Sequence, residues 1–213
     1  SDLVEHRFAY LARDDHAGVY DVLERDFFEH LQVVKQRLLD ENKGGVEAQQ
    51  AHLMALIDQL KASPIAVNTA DANQQHYELP PEFFAAILGP HRKYSSCFWP
   101  TADTSLVEAE VAALDITCQR AELADNQEIL ELGCGWGSLS LWMAERYRCS
   151  HITAVSNSAP QRHFIESEAA SRGLDNLQVI TADMNVFDPE RRFDRVVSVE
   201  MFEHIMNWRE LMT

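Results

Sequence analysis

The chain has 213 residues, 46% hydrophobic and 9% aromatic, which suits a globular protein with a sizeable core. Its 34 acidic and 18 basic side chains give a formal net charge of −16, so phosphate-rich polymers and anionic membranes are repelled on average and no nucleic-acid partner is expected. No apolar run reaches the roughly 20 residues that span a bilayer, and the start SDLVEHRFAY does not read as a signal peptide.

The four cysteines are scattered without a C-x-x-C pair, which argues against a disulfide framework or a zinc site. A reducing, cytoplasmic setting and no metal are therefore expected. The chain begins without Met, so a processed or excised product is expected.

The first sixty residues read as helices. Residues 19–39 carry a helical pattern, and NKGG breaks it. Leu53, Leu56, Ile57 and Leu60 then share one helix face, which reads as an appendage packing on a neighbour. Residues 62–75 are polar, contain Pro64 and read as a linker.

LPPEFFAAILGP starts a short helix at its prolines and stops it at Gly89-Pro90. SLVE at Ser105 is a capping-box pattern with Glu108, opening a helix that runs to about Leu123.

From Gln127 the period changes. EILEL, HITAV, LQVIT and RVVSV are short β-rich runs. The helix between the first two carries Leu139, Trp142, Met143 and Tyr147 on one face. The next has Pro160 in its first turn and Gly173 at its stop. Strands alternating with such helices predict an α/β fold, a parallel sheet with helices on both faces.

The first strand runs into LELGCGWGSL, a turn with three glycines. Bare backbone reaches positive φ and lets a ligand approach closely. The helix start that follows offers free N–H groups, and ligands bind at this carboxyl edge of open α/β sheets. A nucleotide-like cofactor is expected there.

The dinucleotide fingerprint G-x-G-x-x-G fails, because position 138 is Ser138. The second strand also ends in Ser156 and Asn157 rather than an acid, which argues against a nicotinamide dinucleotide.

The spacing E-x-G-x-G-x-G, here Glu131, Gly133, Gly135 and Gly137, resembles the first motif of class I S-adenosylmethionine methyltransferases. HYELP, KYSSCFWP, AVSNSAPQ, ITADM and FDRVVSVEMFEHI accompany it in that order. Together they resemble the superfamily of cyclopropane fatty acid synthases and mycolic acid methyltransferases, in its coclaurine N-methyltransferase-like branch.

The resemblance covers about Pro64 to Leu211 and implies S-adenosyl-L-methionine as cofactor. It divides the chain into an N-terminal helical appendage (1–62), a linker and helical segment covering the cofactor (63–125), and the first half of a Rossmann-like methyltransferase domain (126–213).

By that resemblance Tyr94 and Ser95 contact the methionine part of the cofactor. Gly133, Gly135 and Gly137 form its floor, with Glu131 and Cys134 in the same motif. Ser156, Asn157 and Gln161 lie near the ribose. Asp183 holds the adenine amino group, with Met184 beside the ring.

The residues also allow plainer roles. Gln161 completes a capping box with Ser158, Asp183 caps the turn after its strand, and Cys134 is a small turn residue rather than a nucleophile.

Glu200, Glu203 and His204 follow the fourth strand at the same edge. They suit either a solvated helix start or catalysis, and the resemblance favours catalysis. Methyl transfer needs a free lone pair on the acceptor. An amine of pKa near 10 is neutral in about one molecule per thousand at pH 7, a cost of roughly 4 kcal/mol. His204 suits a general base, Glu203 a partner that orients it or stabilises its charged form, and Glu200 the attraction of a cationic amine.

The cyclopropanating members have glycine at the Glu200 position and cysteine at the Ser96 position, so a small amine acceptor is expected over a lipid alkene. A methyl-branched or cyclopropane lipid synthase, and a non-catalytic cofactor-binding fragment, are the alternatives. The chain stops soon after the fourth strand, leaving an apolar edge. Either it is cut short, or another chain, such as a second copy in a homo-oligomer, completes the sheet.

Overall fold

The computed structural model describes Gln36, residues 43–67 and residues 81–213. The helix expected over residues 19–39 otherwise lies outside the described residues. The chain divides into two compact units, Ser1–Gln59 and Leu60–Thr213.

Helix α1 (Gly45–Ala62) has Glu47 in its first turn and Lys61 in its last, each matching the helix dipole. The expected apolar stripe is present, but no residue of α1 is buried, and Leu53 and Leu56 are exposed. The expected linker is packed in its described part. Ala66 bridges Ile205, Met206 N–H donates to Ile65 O, and Asn207 Nδ2 donates to the carbonyls of Lys61 and Ser63. Main-chain pairing, which polar composition does not report, makes the difference. Residues 68–75 of that linker lie outside the described residues.

Helix α2 (Pro81–Ile87) buries Phe84. Helix α3 (Leu106–Arg120) opens on the expected capping box. Ser105 Oγ accepts from Glu108 N–H at 3.3 Å, and Glu108 Oε2 accepts from Ser105 N–H at 2.8 Å. It stops at Arg120, short of Leu123, where Ala121 caps it.

Four parallel strands follow: β1 (Glu128–Leu132), β2 (His151–Ser156), β3 (Leu177–Thr181) and β4 (Arg195–Ser198). Helix α4 (Ser138–Arg146) joins β1 to β2, and α5 (Ala159–Ser171) joins β2 to β3. Pro160 sits in the first turn of α5, and Gly173 follows it at φ +61°. A 3₁₀ turn (Phe202–His204) and the short α6 (Trp208–Leu211) end the chain.

The strand order is β3-β2-β1-β4. The chain thus builds outward from β1 in one direction and then returns to its other side. The crevice between β1 and β4 is the switch point where such sheets bind ligands.

β1 is paired on both sides and is nearly wholly buried, which is why it reads as a short apolar run interrupted only by Glu131. Its side chains alternate between two clusters. Ile129 joins Leu114, Met143, Ile152 and Ile165, while Leu130 and Leu132 join Val155 on the opposite face. Burying each large aliphatic contributes about 1.5–3 kcal/mol, so this core holds the turn after β1 in place. In the described sheet β4 pairs only with β1, and Val196 is 59% exposed along it.

Candidate functional site

The turn after β1 is fixed by its backbone. Gly133 and Cys134 N–H both donate to Val155 O at 3.0 Å, and Gly137 N–H donates to Cys134 O at 2.9 Å. Gly133, Gly135 and Gly137 have φ of +77°, +52° and +78°, a region that disfavours side chains.

Their missing Cβ atoms serve different ends. A methyl on Gly133 would meet Met201 at 2.9 Å, and one on Gly137 would meet Ile165 at 2.6 Å. One on Gly135 would meet nothing within 4 Å. The first and third glycines allow close packing, while the middle one leaves open space.

That space belongs to a cavity of about 290 Å³ with three walls. Glu131, Gly133, Cys134, Gly135, Trp136 and Ser138 form the first. Arg92, Lys93, Tyr94 and Ser95 form the second, and Val199, Glu200, Glu203 and His204 the third. Ser96 N–H donates to Glu200 Oε1 at 3.2 Å and joins the last two. Glu200 adopts φ +51°, the left-handed region that favours glycine.

Of the residues singled out in the sequence, Tyr94, Ser95, Glu131, Gly133, Cys134, Gly135, Glu200, Glu203 and His204 meet on this cavity. Gly137 lies off it, against Ile165. Ser156, Asn157, Gln161, Asp183 and Met184 lie further along the same edge, outside its lining.

Ser156 Oγ donates to Gln161 Oε1 at 2.7 Å and accepts from Ser158 N–H at 3.1 Å. Ser158 Oγ accepts from Gln161 N–H, so half of the expected capping box forms. The Gln161 side chain turns to Ser156 instead, and its buried Nε2 has no partner. Asp183 Oδ1 accepts from Asn185 N–H and Nδ2 at 2.9 Å each, so it does cap the turn after β3. Met184 packs beside the Leu130, Leu132 and Val155 cluster, and Asn157 is exposed.

The charges in the walls are unequal. Glu131 is 3% exposed and accepts from Ser140 Oγ at 2.5 Å. Burial pushes its carboxyl up to about 7, against the pull of that hydrogen bond. Burial, then Glu131, push the Cys134 thiol well above its ordinary value, which suits a turn residue rather than a nucleophile.

Lys93, Glu110 and Trp136 are site residues that sequence reasoning missed. Glu110 is fully buried on α3, and its carboxylate accepts from His91 N–H at 3.1 Å and Lys93 N–H at 3.2 Å. It shapes the loop that carries Lys93 to Ser95. Its signal was available: it falls on the buried stripe with Ala113 and Leu114. Trp136 is buried between Phe84 and Phe164, with ring centroids 4.9 and 5.5 Å away.

The model of the family described as mycolic acid cyclopropane synthetase matches residues 66–211. A curated relative, the (S)-coclaurine N-methyltransferase of Thalictrum flavum subsp. glaucum, is 38% identical over 170 residues, 80% of this chain and 47% of its own. The chain therefore spans about half the length of the curated relatives it matches.

Among solved structures, a coclaurine N-methyltransferase bound to N-methylheliamine and SAH is similar with a TM-score of 0.77 and 33% identity, over 100% of this chain and 59% of that one. The mycolic acid cyclopropane synthase CmaA1, complexed with SAH and CTAB, is similar with a TM-score of 0.59 and 28% identity, over 66% of this chain and 48% of that one. The matched residues include every wall of the cavity from Arg92 to His204, and the chain belongs to the mycolic acid cyclopropane synthetase family.

Proposed function

We propose that the protein is an S-adenosyl-L-methionine-dependent methyltransferase acting on the nitrogen of a small amine. The observation that carries this is the meeting of an open glycine seat at Gly135 with Glu200, Glu203 and His204 across one cavity.

The residues present fit the cofactor. Gly135 leaves room for a group against the main chain. Ser138 Oγ and Trp136 Nε1 in the same wall, and Gln161 Nε2 further along the edge, are buried polar atoms without partners. A nucleoside with hydroxyl and amino groups can satisfy such atoms.

Once bound, the cofactor supplies a methyl group activated by its sulfonium. The remaining roles belong to the chain. Tyr94, Ser95 and the Glu131 to Gly135 stretch of the turn hold the amino-acid end, with Gly137 packing the turn against Ile165. Ser156, Asn157, Gln161, Asp183 and Met184 hold the nucleoside, so Gln161 and Asp183 serve both local structure and binding. Glu200 draws in the protonated amine, His204 Nδ1 or Nε2 accepts its proton, and Glu203 stabilises the imidazolium.

The similarity to amine methyltransferases supports the acceptor class. Four unpaired thiols support a reducing, cytoplasmic compartment. No helix among the described residues is long and apolar enough to cross a membrane.

A lipid acceptor, giving a methyl-branched or cyclopropane chain, is favoured by the family match and by the similarity to cyclopropane synthases. Isotope-labelled cofactor offered with panels of amines and phospholipids decides between them by mass spectrometry. We expect labelled N-methyl amines. Label in lipid with none in amine would refute the acceptor. Calorimetric binding of S-adenosylhomocysteine without any product would leave only a binding role.

A further inference from the structure

Lys93 is a cation in an unusual place. It is 7% exposed in a chain of net charge −16, and it lines the cavity. Its ammonium donates to Ser95 Oγ. No carboxylate among the described residues forms an ion pair with it. Burial lowers its pKa, while Cys97, Glu200 and Glu110 at longer range pull the other way. A buried charge without a contacting counter-ion is costly, and a ligand anion relieves that cost.

The backbone commits Lys93 to this position. Glu110 accepts the N–H groups of His91 and Lys93. Gly89 lies so close that a methyl there would overlap the Glu110 carboxylate. The other cation of the wall, Arg92, is occupied elsewhere, with its guanidinium 4.2 Å from the Phe164 ring centroid and Nη1 donating to Pro81 O. The acids Glu200 and Glu203 line the same cavity. They suit ammonium and sulfonium groups and repel carboxylate.

We propose that Lys93 anchors the carboxylate of the cofactor's amino-acid tail, with Glu110 as the positioning residue that holds the loop. This rests on the proposed cofactor and adds the group that reads its anionic end. The ammonium has three donors, and Ser95 takes one, so the carboxylate receives a charge-assisted hydrogen bond beside Ser95.

The test is calorimetry on the full chain with S-adenosylhomocysteine and with its decarboxylated analogue. Wild-type protein is expected to bind the decarboxylated compound roughly 10- to 100-fold more weakly. Lys93→Met should lose a similar factor for S-adenosylhomocysteine and leave the analogue unchanged. Equal wild-type affinities overturn the assignment without any variant, so a misfolded Lys93→Met does not rescue it. Equal losses of both ligands in the variant also overturn it, because they mark a purely structural lysine. Failure of the wild type to bind S-adenosylhomocysteine at all refutes the cofactor reading itself.

Discussion

Adding one methyl group at Gly135 or at Gly137 separates two uses of bare backbone. Both residues are left-handed, so alanine costs about 1–2 kcal/mol at either place. At Gly137 the methyl also falls 2.6 Å from Cγ1 of Ile165, which is fully buried. Overpacking of that kind adds about 1–3 kcal/mol, for a total of about 2–5 kcal/mol.

At Gly135 no atom lies within 4 Å of the methyl, which instead occupies the cavity. For a unit of this size each kcal/mol shifts the melting temperature by about 2–4 °C. Gly137→Ala should therefore melt well below Gly135→Ala. Binding should invert the order: Gly135→Ala loses at least about tenfold in S-adenosylhomocysteine affinity, and Gly137→Ala keeps it below its melting temperature. Thermal melts with and without ligand measure both. Undiminished ligand binding by Gly135→Ala would refute the seat.

The Glu131 carboxyl is raised from 4.5 to about 7 in the folded state, so its proton is held more tightly there than in the unfolded chain. Its stabilising contribution is full below pH 4.5 and is lost as pH rises through 7, a change of roughly 3 kcal/mol. Urea unfolding at pH 5 and pH 8 should show that slope, and Glu131→Gln should flatten it and be the more stable protein at pH 8. His204→Ala should lower turnover about 100-fold with S-adenosylhomocysteine affinity unchanged. Steady-state kinetics beside calorimetry check this, and unchanged turnover removes His204 from the mechanism. Glu200→Gly relieves a left-handed residue and should raise the melting temperature by about 2 °C while lowering amine turnover. A drop in melting temperature would show that the Ser96 hydrogen bond outweighs the backbone strain.

Much of this protein is local physics and was legible in the chain. Short β-rich apolar runs in EILEL and HITAV specified strands, because both lie buried in a parallel sheet. Ser105 and Glu108 specified a helix start, because both bonds of a capping box close within four residues. The glycine spacing specified a turn with positive φ, because no other residue adopts it cheaply.

What the chain could not show was which glycine faces the ligand. That depends on Ile165 and Met201, distant in sequence, taking the space beside two of them. Nor could it show that residues 61–66 are packed rather than loose, since Asn207 and Ile205 hold them from the far end of the chain. Lys93 is set apart from the other charges only by α3, which places Glu110 beneath its loop. Spacing along a chain sets backbone conformation, whereas burial and charge partnership arise only when separate elements exclude water together.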